Sequence, residues 1–99
     1  MIAKNEPDRR CCFLLGEIVA TPSAIAALEA AGQAPLEFLA RHVSGDWGEV
    51  DDEDKQANEQ ALLDGTRLLS AYTLKSGVRV WVITEADRLS TTLLLPEDY

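Results

Sequence analysis

The stretch Arg67-Leu68-Leu69-Ser70-Ala71-Tyr72-Thr73-Leu74-Lys75-Ser76-Gly77-Val78-Arg79-Val80-Trp81-Val82-Ile83-Thr84 decides the fold. Two runs with a strand-like period, residues 67–74 and 78–84, flank Lys75-Ser76-Gly77, a short turn with glycine available for a positive φ. That pattern reads as a β-hairpin. In the second run Val78, Val80 and Val82 take one face while Trp81 and Ile83 take the other, so the strand is expected at the centre of a sheet, covered on both sides. Glu85-Ala86-Asp87-Arg88 then turns the chain into a further strand over residues 89–95, which Pro96 ends.

Upstream of the hairpin the period is helical. Thr21-Pro22 offers an N-cap followed by proline at the first helical position, and Gly32 offers a stop, so residues 22–31 are expected to be helical with Ile25, Leu28 and Ala31 inward. Pro35 opens a second helix whose inner side is Leu36, Leu39 and Val43, with His42 in the last turn before Ser44-Gly45. Asp51 or Asp52 caps a third helix that Gly65 closes; its inner stripe of Ala57, Ala61 and Leu62 is thin. Residues 12–20, apolar around Gly16, read as a short strand or extended packing segment. The expected fold is therefore α+β in the order β-α-α-α-β-β-β, with three N-terminal helices packed on one face of a three- to four-stranded antiparallel sheet. Residues 1–10, polar and without a period, read as a flexible leader, and residues 11–99 as a single domain.

Ninety-nine residues hold one core and no second module, which excludes a multi-domain enzyme. Nine basic against seventeen acidic side chains give a net charge of −8, which opposes general attachment to nucleic acid or to anionic lipid. Cys11 and Cys12 are adjacent, and a bond between neighbours closes almost no loop, so no disulfide framework is expected. With one histidine and no second cysteine pair, no metal site or cofactor is expected either. No apolar run approaches the length of a membrane span, and a cytoplasmic location is the expectation.

Several stretches carry a resemblance: Arg41-His42-Val43-Ser44-Gly45-Asp46-Trp47-Gly48, Glu53-Asp54-Lys55-Gln56-Ala57-Asn58, Trp81-Val82-Ile83-Thr84-Glu85-Ala86-Asp87-Arg88, the pair Thr91-Thr92, and Leu95-Pro96-Glu97-Asp98-Tyr99. Together they resemble a family of small uncharacterised bacterial proteins called plasmid-related, some of which carry restriction-modification labels. The resemblance covers roughly residues 16–99. It departs at Leu89, where the family has serine after the Asp-Arg pair. It implies a mobile-element setting and supplies no activity.

Two groups of residues are candidates for function. Residues 46–64 hold Asp46, Glu49, Asp51, Asp52, Glu53, Asp54, Glu59 and Asp64 against Lys55 alone, nearly the whole net charge. Displayed outward, with Trp47 among them, residues Asp46, Trp47, Glu49, Asp51, Asp52, Glu53 and Asp54 would form a binding surface that imitates nucleic acid. It would occupy a basic groove of a host nuclease or defence protein. The plainer account makes the acids a solvated helix start and Trp47 a plug between helices. The second group, His42 and Asp46 with Thr84, Glu85, Asp87 and Arg88, has the residue types of a small metal-independent ribonuclease toxin. In that reading His42 moves a proton and Arg88 holds a phosphate, with Asp87 beside them. Its plainer account has His42 facing helix carbonyls, and Asp87 and Arg88 making a turn. A third possibility is an accessory fold of no separable activity. Finally, the uncharged run Leu93-Leu94-Leu95 would favour a homodimer if residues 89–95 formed an edge strand.

Overall fold

The computed structural model describes residues 13–99. Strand β1 (Glu17–Ala20) leads into helices α1 (Pro22–Ala31), α2 (Pro35–Val43) and α3 (Asp52–Asp64). The hairpin β2 (Leu68–Thr73) and β3 (Arg79–Thr84) follows, then β4 (Ser90–Leu94) and a 3₁₀ turn, Pro96–Asp98. The expected leader and both cysteines lie outside the described residues.

Local chemistry sets the helix ends where the caps predicted them. The Thr21 hydroxyl accepts from the Ala24 amide at 3.2 Å, and Asp51 accepts from the Asp54 amide at 2.8 Å. At the far end of α1 the amides of Gly32 and Gln33 donate to the carbonyls of Glu29 and Leu28, the paired bonds of a Schellman motif. The buried faces differ from the expected ones. Ala24 and Leu28, spaced by four, carry α1 inward while Ile25 stands 44% exposed. In α2 the inward residues are Phe38, Leu39 and His42, and Leu36 points to solvent. In α3 they are Asn58 and Ala61, with Ala57 exposed.

The four strands form one sheet in the order β1-β4-β3-β2. The β2–β3 and β3–β4 pairs are antiparallel, but β1 runs parallel to β4, with Ile18 opposite Thr91 and Ala20 opposite Leu93. The sheet is thus mixed, which corrects the expectation of a purely antiparallel one. The physical reason is the crossover: everything from α1 to β3 lies between β1 and β4, and a connection of that length lets two strands run side by side in one direction. Gly16 makes the approach possible. At φ +67 its backbone passes so close to Leu89 that a Cβ would sit 2.3 Å from the Leu89 carbonyl carbon.

A further correction concerns the edges. The strand containing Leu93 and Leu94 lies inside the sheet between β1 and β3, so it offers no edge for the dimer contemplated from its uncharged run. The edge strands are β1 and β2. The central placement expected for β3 holds.

The main core lies where α1 and α2 meet one face of the sheet: Ala24, Leu28, Phe38 and Leu39 against Tyr72, Leu74, Val80, Val82, Leu93 and Leu95. A smaller cluster, Trp47, Ala61 and Leu68, with Phe13, Val50 and Leu62 packed against it, ties α3 to the outer end of β2. On the other face the 3₁₀ turn crosses β3. There Tyr99 meets the Trp81 ring at 5.8 Å, and its hydroxyl accepts from Arg67 at 2.7 Å.

Candidate functional site

His42 is fully buried, and its imidazole joins a chain of hydroxyls that crosses three strands. Its Nδ1 lies 2.6 Å from Ser70 Oγ and its Nε2 2.9 Å from Thr84 Oγ1. Thr84 in turn is 2.7 Å from Thr91 Oγ1, and Thr91 donates to the Leu15 carbonyl at 2.7 Å. The last bond fixes the direction of the rest. Thr91 gives its one proton to a carbonyl, so it accepts from Thr84; Thr84 therefore accepts from His42, whose proton sits on Nε2, and Nδ1 accepts from Ser70. Every member is satisfied. Burial, and then the positive charge of Arg88, lower the His42 pKa to about 4, so the ring is neutral at pH 7. The expected partner, a helix carbonyl, is not the one the ring uses.

Arg88 and Asp87 are also committed to structure. Arg88 takes a left-handed conformation, φ 61, and its guanidinium donates to the carbonyls of Ala61, Thr66, Glu85 and Ala86 at 2.7–3.3 Å. A cation on the carbonyls that end α3 complements the negative end of its dipole. Asp87 Oδ1 accepts from the Leu89 amide at 2.9 Å, closing the turn. The Phe13 ring touches both His42 (5.2 Å between centroids) and Trp47 (6.2 Å), and the Arg88 guanidinium lies 5.8 Å from it. His42 and Arg88 of the ribonuclease-like reading thus approach one another across an aromatic ring, while Asp87 stays in its turn. They share no opening onto solvent, because His42 is sealed. Of the other members of that group, Thr84 belongs to the buried chain and Glu85 is exposed.

The acidic run separates into two parts. Asp46 is bound to Arg41 at 2.8 Å and accepts from the Gly48 amide; the Arg41 guanidinium, and then that amide, hold its carboxyl below the usual range. Glu49 accepts from the Thr73 hydroxyl at 2.8 Å, with Arg79 4.0 Å away. Asp51 is the α3 cap, Glu59 accepts from the Trp47 indole at 2.9 Å, and Asp64 accepts from Thr66. Asp52, Glu53 and Asp54 remain: they are exposed, side by side in the first turn of α3, with no side-chain partner among the described residues. Trp47 is only 5% exposed, which removes it from any outward surface and makes it the plug between helices.

Sequence reading missed the residues that close the free side of β2. Asn58 donates to the Leu69 carbonyl at 2.7 Å and accepts from the Leu69 amide at 3.0 Å, as a neighbouring strand would. Two residues on, the Ala71 amide donates to the Trp47 carbonyl and the Glu49 amide to the Ala71 carbonyl. Gly48 lies between them at φ +74, so close that a Cβ would be 2.1 Å from the Ala71 oxygen. The signal for Asn58 was a polar residue on the inner stripe of a helix with few apolar ones. For Gly48, no pattern within a few residues reports its approach to β2.

Among the described residues there is no group of three or more His, Cys, Asp or Glu side chains placed to hold a metal ion, and no helix is long and apolar enough to cross a membrane. No family model, curated protein or solved structure matches the chain.

Proposed function

We propose that this protein acts by binding, through the exposed first turn of α3, to a basic surface of a protein that handles nucleic acid, in the cytoplasm of a bacterium carrying a mobile element. One observation carries the reading: the other carboxylates of the acidic run, at Asp46, Glu49, Asp51, Glu59 and Asp64, are engaged in holding the fold, while Asp52, Glu53 and Asp54 are exposed with no side-chain partner among the described residues. Three charges in one turn have the density of a short phosphate run, and the chain's net charge of −8 adds long-range attraction to a cationic groove. The surface is smaller than the sequence suggests, because Asp46, Glu49, Asp51 and Trp47 serve the fold instead.

The test is displacement of a DNA duplex from a basic bacterial DNA-binding protein, followed by fluorescence anisotropy. Displacement that weakens with added salt and falls about tenfold in the combined variant Asp52→Asn, Glu53→Gln, Asp54→Asn supports the reading. Equal displacement by that variant, or none by the parent chain, refutes it. The catalytic alternative is checked in parallel: RNA cleavage by the parent chain that His42→Ala abolishes would replace binding with hydrolysis.

A further inference from the structure

The two edges of the sheet are treated differently. On β2 the outward amide and carbonyl of Leu69 and of Ala71 are all taken, by Asn58 and by the segment around Gly48. On β1 the amides of Glu17 and Thr21 turn inward and donate to Leu89 and Leu93 of the β4 side, at 2.9 and 3.0 Å. Alternate residues of a strand point their main-chain groups to opposite sides, so the amides and carbonyls of Ile18 and Ala20 face away from β4. Among the described residues nothing meets them. An open row of main-chain donors and acceptors is a template for another strand.

Beside that edge lies a groove. Its volume is about 440 Å³, within the range of binding clefts, and it is lined by Ile18 and Ala20 of β1, Ile25 and Leu28 of α1, Pro35 and Leu93. Leu28 and Leu93 form a buried floor, while Ile18 and Ile25 stand as half-exposed walls, each 44% accessible. The lining also contains Glu29 and Gln33 but no basic side chain, and the strand itself begins with exposed Glu17. Beyond its other end Asp98, held by the Thr21 and Ser23 hydroxyls, keeps its carboxyl below the usual range and so stays ionised.

We infer that the β1 edge is a docking site for an extended, apolar segment of a partner protein flanked by Lys or Arg, which adds to the sheet as a fifth strand. The main-chain groups of Ile18 and Ala20 would pair with the incoming backbone, and the groove would take alternate apolar side chains, the two parts of strand addition. The acids at Glu17, Glu29 and Asp98 select basic flanks. A second copy of this chain fits less well, because antiparallel pairing of Ile18 with Ala20 of the copy brings Glu17 opposite Thr21, and hence toward Asp98, with like charge. This site is separate from the α3 surface.

The probe is a short blocked peptide in which valine and threonine alternate between terminal lysines, titrated into the chain and followed by amide NMR. Expected are shifts at Ile18, Ala20, Ile25 and Leu28, slowed exchange of the Ile18 and Ala20 amides, and about tenfold weaker binding when glutamates replace the lysines. Methylating the peptide's main-chain nitrogens should abolish binding. Ile25→Lys, a change at the surface, should weaken binding by a similar factor without unfolding the domain, and Ile18→Pro should remove it by deleting one outward amide. The combined neutral variant at residues 52–54 should bind the peptide as the parent does, which separates this site from the α3 reading. Equal binding of the methylated peptide, shifts confined to the start of α3, or no binding at all would overturn the proposal. So would a dimer of the chain itself that Ile18→Pro dissociates.

Discussion

Lowering the pH should destabilise this protein through its single histidine. In the native state the His42 pKa is about 4, because burial disfavours the charged ring, whereas an unfolded chain has a value near 6.5. Between these values the unfolded state binds a proton that the native state does not. Stability is therefore full above pH 6.5, falls as the pH drops through the window at up to about 1.4 kcal/mol per unit, and levels off below pH 4. The whole effect is about 3 kcal/mol, a large share of the 5–15 kcal/mol of a typical domain. The hydroxyl chain explains why protonation is costly: a proton on Nδ1 meets the proton Ser70 points at it, and the ring charge faces Arg88. The groups around the ring from other elements are Ser70 of β2, Thr84 of β3, Arg88 of the β3–β4 turn, and the Phe13 and Trp47 rings. The two carboxyls with lowered values, Asp46 and Asp98, are displaced downward from 3.8, so their contribution is lost below this window and does not mask it. Urea denaturation at half-unit steps from pH 7 to 4.5, with proton NMR of the one imidazole, measures both quantities. His42→Gln, whose amide can still donate to Thr84, should start lower in stability but lose the slope across the window. A flat stability profile in the parent chain, or an imidazole titrating near 6.5, would refute the argument.

Other substitutions test the closed edge and the joints. Gly48→Ala should cost more than about 3 kcal/mol in thermal or urea melts, since its methyl would overlap the Ala71 carbonyl. Gly77→Ala, also at positive φ but with open space around it, should cost about 1 kcal/mol. Asn58→Ala leaves the Leu69 amide and carbonyl unpaired and should cost about 2–3 kcal/mol, with faster hydrogen exchange at Leu69. Arg88→Lys loses the fork that reaches four carbonyls, and about 1–2 kcal/mol of stability in the same melts, while the positive backbone angle stays as strained as before. Replacing Ser70, His42, Thr84 and Thr91 together by Ala, Leu, Val and Val should cost far less than His42→Leu alone, yet narrow the amide NMR dispersion. Unchanged dispersion in that variant would show that the network does not specify the packing.

The sequence revealed what depends on near neighbours. Thr21-Pro22, Pro35, Asp51 and Gly65 place helix ends through bonds spanning a few residues, and the three-residue turn at Lys75-Ser76-Gly77 fixes the hairpin register. Failures came where distant segments decide. The parallel pairing of β1 with β4 is secured by bonds such as Thr91 to Leu15, 76 residues apart, and no local pattern reports it. Local patterning also misplaces helix faces, because it weighs each side chain by its own size and polarity. In α1 the small Ala24, not Ile25, faces the sheet, and in α2 the pair Phe38 and His42, one turn apart, makes an inward stripe that includes a polar ring. The same bias inflated the acidic surface, since charge counted along a chain does not reveal that Asp46 answers Arg41 or that Glu59 answers an indole.

Why a small domain buries a histidine, a serine and two threonines in its interior follows from what apolar packing leaves undecided. Alternation of side chains fixes which face of a strand is inward, but a slip of two residues preserves the alternation and keeps every apolar face covered. The buried hydroxyls break that degeneracy. Sliding β4 by two residues against β3 would separate Thr91 from Thr84 and leave both, with His42, unpaired in a low-dielectric interior, at about 1–3 kcal/mol for each group. Asn58 sets the position of α3 along β2 in the same way, because only Leu69 offers both its amide and its carbonyl at that height. Polar residues that look like chemistry in the sequence thus act as register marks in the fold. Among the described residues the same logic isolates the β1 edge, where Ile18 and Ala20 present main-chain groups in a register that a partner, rather than these residues, is left to choose.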